Sequence, residues 1–121
     1  MFPENAAESA MRRLWQLIDS RAWDELAEVL APELRVHYVH TGENFTRDAF
    51  VRLNREYPGR WRAEIRDVVA AGPRAVTLAL VTDGSEDHHV ASFGTVSDGR
   101  IVYLVEFWAE GGVSVPEDRR P

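Results

Sequence analysis

The sequence contains neither cysteine nor lysine; all 14 of its basic side chains are arginine. Without cysteine there is no thiol nucleophile, thiolate metal site or disulfide. Without lysine no amine can form a Schiff base with a carbonyl substrate or a cofactor aldehyde. No stretch approaches the roughly 18 consecutive apolar residues of a membrane span, and the start MFPENAAES has neither a basic nor an apolar leader region. The sequence therefore predicts no membrane partner, no signal peptide and a cytoplasmic location. A net charge of -6 with scattered arginines argues against a nucleic-acid partner, which needs a basic stripe. GxSxG, P-loop, GxGxxG and HExxH motifs are all missing. Any chemistry must come from carboxylates, histidine, tyrosine and asparagine, and no cofactor is implied.

Against these absences stands one strong local signal, Val90 to Trp108. Two period-two apolar runs flank Asp98-Gly99, the pair a type I′ hairpin turn demands because both positions need positive φ. With that pair at the tip, Phe93 faces Leu104, Ala91 faces Glu106 and His89 faces Trp108. One face of the ribbon then carries His89, Ala91, Phe93, Thr95, Val102, Leu104, Glu106 and Trp108. Glu106 is thus a carboxylate in an apolar row. Lost hydration there raises a carboxyl pKa toward neutrality, as a general acid or base requires. The plainer account is a buried carboxylate satisfied by Tyr, Trp or backbone donors, with no chemistry. His89, diagonal to Glu106, is the candidate proton partner, or else a histidine at the rim.

Elsewhere, Asn5 and Glu8 have capping-box spacing ahead of an amphipathic helix over 6–20. A second helix carries Trp23, Leu26 and Leu30 and is stopped by Pro32. Leu34 to His40 alternates as a strand with Leu34, Val36, Tyr38 and His40 turned inward, followed by a loop over 41–44. Thr46 caps a third helix running to Tyr57, with Phe50, Leu53, Asn54 and Tyr57 on one stripe. Trp61 to Ala71 is a strand with Trp61, Ala63, Ile65 and Val69 on one side, where Asp67 is out of place. Val76 to Asp83 returns, and pairing Asp83 with His88 puts Val76, Leu78, Leu80 and Thr82 on the face of Glu106. This gives one domain over 1–110 and a Gly-, Pro- and charge-rich tail over 111–121.

Tyr38, His40, Asn54 and Tyr57 can aim donors at a ligand's carbonyl or hydroxyl, while Trp15, Trp61, Trp108 and Phe93 would wall a pocket. For the two tyrosines the commoner explanation is an aromatic body in the core with its hydroxyl reaching water. His40, His89 and Glu106 make a two-histidine, one-carboxylate set on paper, but no spacing motif supports a metal and none is expected.

The order of two helices, a strand, a third helix and a meander of long strands is familiar. With Trp23-Asp24-Glu25-Leu26…Leu30-Ala31-Pro32-Glu33, Phe50…Asn54-Arg55-Glu56-Tyr57-Pro58-Gly59 and Ser97-Asp98-Gly99-Arg100-Ile101-Val102…Glu106-Phe107-Trp108, the chain resembles the nuclear transport factor 2-like superfamily, and within it the SnoaL-like group of small bacterial proteins. The resemblance implies an α+β cone, a strongly curved, mostly antiparallel sheet wrapped around the helices, with a pocket for a small apolar ligand and a homodimer formed through the sheet. Its members include ketosteroid isomerase, polyketide cyclases, limonene epoxide hydrolase and non-enzymatic binders. Glu106 looks like the counterpart of the hydrolase's last-strand aspartate; that enzyme's Arg and Asp partners on an earlier strand have no clear match. Two functions follow as expectations: an isomerase, cyclase or hydrolase acting on an apolar oxygen-bearing ligand through Glu106 and His89, or a non-catalytic dimeric module.

Overall fold

The computed structural model describes residues 5–121; the first four residues of the polar start, and with them part of the leader reading, lie outside the described residues. Helix α1 spans Ala6–Ser20, and Asn5 caps it by accepting the Glu8 N–H at 3.0 Å. Glu8 does not complete the box, because its carboxylate pairs with Arg12 one turn on. Met11, Leu14, Trp15 and Leu17 form the buried stripe of this helix. Arg21 follows it in the left-handed conformation, φ 59°, and the Arg21 and Ala22 N–H groups close on Ile18 and Leu17 carbonyls.

Helix α2 (Trp23–Val29) passes directly into strand β1 (Leu30–Tyr38), so the strand begins before Pro32. Pro32 lies inside β1 where pairing to the last strand is interrupted between Leu30 and Arg35, which suits a residue with no N–H to give. Residues 44–46, partly in the expected loop, form a short strand β2 (Asn44–Thr46) on the edge of β1. Thr46 then caps α3 (Arg47–Glu56), accepting the Ala49 N–H. Strands β3 (Arg62–Ala71), β4 (Arg74–Thr82), β5 (Asp87–Ser97) and β6 (Arg100–Glu110) follow as an antiparallel meander. The mixed, open six-stranded sheet runs β2-β1-β6-β5-β4-β3, with β1 parallel to β6. The helices cover one face, which makes the fold α+β. No helix among the described residues is long and apolar enough to cross a membrane.

The β5–β6 turn is as expected, with Asp98 and Gly99 at φ 52° and 76° and Val96 opposite Ile101. Beyond it the register slips: Thr95 pairs with Tyr103 rather than Val102, and from there Gly94 faces Leu104, Ser92 faces Glu106 and Val90 faces Trp108. One extra residue in β6 makes a bulge, and because side chains alternate with period two, every later β5 position changes face. Leu104 and Glu106 stay buried on the helix side, but His89 and Phe93 turn to the outer face. The inversion carries into β4, where Ala75, Thr77, Ala79 and Val81 point inward instead of Val76, Leu78, Leu80 and Thr82. A second bulge, between Ile65 and Asp67, does the same to β3. Val69 is outside, and Asp67 binds the neighbouring Val68 N–H rather than lining the interior.

Small inward residues let α1 lie close on the sheet. Trp15 donates its indole N–H to Thr77 Oγ1 at 3.0 Å, and Met11 fills the space above Gly94 that a Cβ would occupy.

Candidate functional site

A cavity of about 370 Å³ lies at one end of the sheet, between the C-terminal ends of α1 and α3 and the adjoining strand ends. Its aromatic walls come from Trp15 on α1, Trp23 on α2, Trp61 just before β3 and Trp108 on β6, so all four tryptophans of the chain line it. Leu53, Ile18, Ala63 and Val81 complete the apolar lining. Tyr38, His40, Asn54 and Tyr57 also line it, as do four polar residues that sequence reasoning missed: His88, Glu110, Arg21 and Arg62. The miss on β5 follows from the bulge: His88 takes the inward position that had been assigned to His89. The small-residue alternation Ala75, Thr77, Ala79 on β4 was the available signal, since a sheet face that receives a large helix residue such as Trp15 favours small partners.

Tyr38, at the end of β1, is 8% exposed, packed edge-on against Phe45 at 4.9 Å and stacked on His40 at 5.2 Å. Burial, with the negative charge of Glu106 adding to it, holds its phenol proton more tightly than usual, so Tyr38 is a neutral hydrogen-bond donor. His40 lies just past the strand and outside the core, where its Nδ1 accepts the Trp108 backbone N–H at 3.3 Å. That acceptor role assigns the ring proton of a neutral His40 to Nε2. Asn54 donates to the Phe50 carbonyl of its own helix at 2.8 Å. Tyr57 is 54% exposed at the mouth, edge-on to Trp61. His88 sits with its ring centre 5.3 Å from Trp61 and 6.2 Å from Trp108, and directly across the β5–β6 ladder from Glu110.

Glu106 is inside the protein but is not part of the cavity surface. It is 1% exposed, its two oxygens accept Ser92 Oγ at 2.6 Å and Trp108 Nε1 at 3.2 Å, and burial pushes its pKa up to about 7 against the pull of those two hydrogen bonds. The Trp108 indole stands as cavity wall with Glu106 holding its N–H. His89 and Phe93 are outside this arrangement altogether, Phe93 being 40% exposed. With His89 and Glu106 on opposite faces of the sheet, the His40, His89 and Glu106 set does not assemble. Among the described residues no group of three or more His, Asp or Glu side chains is placed to hold a metal.

Comparison with known proteins identifies this architecture. Residues 11–104 match the family model of the SnoaL-like domain. A candidate ketosteroid isomerase from Kribbella flavida is 30% identical, with 94% of this chain and 85% of that chain aligned at a TM-score of 0.85. An LEH-like epoxide hydrolase from M. tuberculosis (20% identity, 88% and 86% of the two chains, TM-score 0.73) shares the fold. So does IdmH, a candidate polyketide cyclase from Streptomyces antibioticus (18% identity, 83% and 89%, TM-score 0.73). No curated protein matches the sequence. A family match over most of the chain, joined to the helix order and the helix-covered open sheet, leads to one conclusion: the chain belongs to the SnoaL-like group of the nuclear transport factor 2-like superfamily.

Proposed function

We propose that this protein takes a mostly apolar, oxygen-bearing small molecule into the cavity and moves a proton on it, as a cofactor-independent isomerase, cyclase or hydrolase does. The observation that carries the reading is the cavity itself: about 370 Å³, within the range of small-molecule sites, walled by four tryptophans and edged by a few convergent polar groups. Tyr38 and the Nε2–H of His40 supply donors for the ligand's oxygen. His88 is the group on the cavity wall suited to exchange a proton, and its Nε2 lies 4.0 Å from the Glu86 carboxylate. Glu106 is a positioning residue: it anchors Trp108 and Ser92 from behind the wall. That same placement favours a second reading, a binding module without chemistry, since Glu106, the one deeply buried carboxylate among the described residues, does not line the ligand space.

Because every tryptophan lines the cavity, intrinsic fluorescence reports its occupancy. Titration with 2-acetylnaphthalene, a neutral apolar ketone, is expected to shift the tryptophan signal saturably. Ala63→Trp, which fills the cavity from β3, should abolish that shift while the variant still melts cooperatively. An unsaturable, collisional response in both proteins would remove the binding function. Binding without any change in the ketone's α-hydrogen exchange would favour the non-catalytic module.

The outer face of the sheet supports pairing with a second copy of the chain, the homodimer the resemblance implied. Val69, Leu78, Phe93, Tyr103 and Phe107 are 40% to 64% exposed there, an apolar patch of the kind that marks an interface. Sedimentation velocity should give twice the chain mass, and Phe93→Glu should return a folded monomer; a monomeric wild-type protein would contradict the pairing.

A further inference from the structure

Resting on that reading of the cavity, we propose that its ligand is an organic anion, an apolar ring body carrying a carboxylate or similar group that seats on Arg21. The charged side chains on the cavity wall are Arg21, Arg62 and Glu110, joined by the two titratable imidazoles of His40 and His88. Arg62 is already neutralised. Asp19 accepts its Nε at 2.9 Å and its Nη2 at 3.1 Å, and the same carboxylate also takes the Ala63 N–H at 2.9 Å, which holds the Asp19 pKa below the usual carboxylate range. Glu110 stands directly across the ladder from His88, whose Nε2 lies 4.0 Å from the Glu86 carboxylate. Arg21 has no carboxylate partner among the described residues; its one protein hydrogen bond there runs from Nη2 to the Gly59 carbonyl at 3.2 Å.

Its setting is also unusual for the residue type. Arg21 occupies the left-handed position that closes α1, φ 59°, a site that favours glycine or asparagine. The bond to Gly59 ties its guanidinium to the Pro58–Trp61 connection, whose Trp61 forms part of the aromatic wall. The cavity is therefore polarised. Arg21, without a carboxylate partner among the described residues, is on the α1–β3 side, and Tyr38, His88 and Glu110 are on β1, β5 and β6, with His40 just past β1. A ring system with an anionic group at one end and a carbonyl or hydroxyl at the other matches that division of the lining. The planar fork of a guanidinium suits a carboxylate in two-point contact.

Matched probes test this through the same fluorescence signal: 2-naphthoate and its neutral isostere 2-naphthamide. Wild-type protein is expected to bind the anion about tenfold more tightly, as one charge-assisted contact at a cavity rim allows, with the preference shrinking as salt is added. Arg21→Asn, which keeps a residue at ease in the left-handed conformation, should erase the preference, read as the ratio of the two affinities because a loosened Pro58–Trp61 connection would weaken both probes alike; Arg21→Lys should keep part of it. Equal binding of the two probes by wild-type protein, or a preference that survives in Arg21→Asn, overturns the assignment and leaves the cavity reading intact. If neither probe binds saturably, the cavity reading fails and this inference with it.

Discussion

Replacing Glu106 by glutamine should make the protein more stable at pH 8 by up to about 3 kcal/mol and leave its stability almost unchanged near pH 4.5. The sign follows from the direction of the shift. The folded-state pKa is raised to about 7 from an ordinary 4.5 because the carboxyl is buried. Below the lower value both states hold the proton, and the group has no net effect on stability. Between the two values the folded chain keeps a proton that the unfolded chain has shed, so rising pH favours unfolding. Above pH 7 the buried carboxylate is ionised and the penalty is complete. Glutamine is neutral throughout: its oxygen can accept the Trp108 indole N–H, and its amide can donate to Ser92 Oγ. The downward shifts of Asp19 and Asp83 act below their ordinary 3.8 and leave this window clear. Urea unfolding of both proteins at pH 5 and pH 8 gives the difference directly. A variant less stable at pH 8, or a difference that does not change with pH, would mean that Glu106 is ionised at no cost where it lies.

The second large effect is steric. A Cβ on Gly94 would overlap the Met11 sulfur, and both residues are buried where the middle of α1 meets β5. Gly94→Ala is expected to cost about 1–3 kcal/mol by overpacking, and Met11→Ala about 2–5 kcal/mol by leaving a cavity. The double variant should lose clearly less than the two together, because the alanine methyl enters space the methionine has vacated. Denaturant unfolding of the four proteins measures the coupling. Simple additivity would show that α1 does not press on β5 at this point.

The contrast between Gly94 and Phe93 also explains what could be read from the chain and what could not. Signals confined to a few residues carried through. Asn5 and Thr46 accept the N–H groups their capping positions predict, Asp98-Gly99 makes its turn, and Glu106 points inward from β6. What failed was propagation. An unmarked extra residue beyond Ile101 reversed β5 and then β4, exchanging His89 for His88 and putting Phe93 outside. Placing Val76, Leu78, Leu80 and Thr82 inside gave the wrong face, because the sheet meets a helix bearing Trp15 and Met11 and answers with Ala75, Thr77, Ala79 and Gly94. Period-two reasoning has no access to a bulge that leaves no glycine behind. The cation at Arg21 was hidden for another reason: it stands out by having no carboxylate partner among the described residues, Asp19 two residues earlier turning instead to Arg62 and Ala63.

The central claim, that the tryptophan-walled cavity is a ligand site, is tested most directly by mass spectrometry of the small molecules released on denaturing freshly purified wild-type protein and the Ala63→Trp variant side by side. An apolar, oxygen-bearing compound is expected in near-stoichiometric amount with the wild-type chain and missing from the filled variant. The same compound recovered equally from both would contradict the claim.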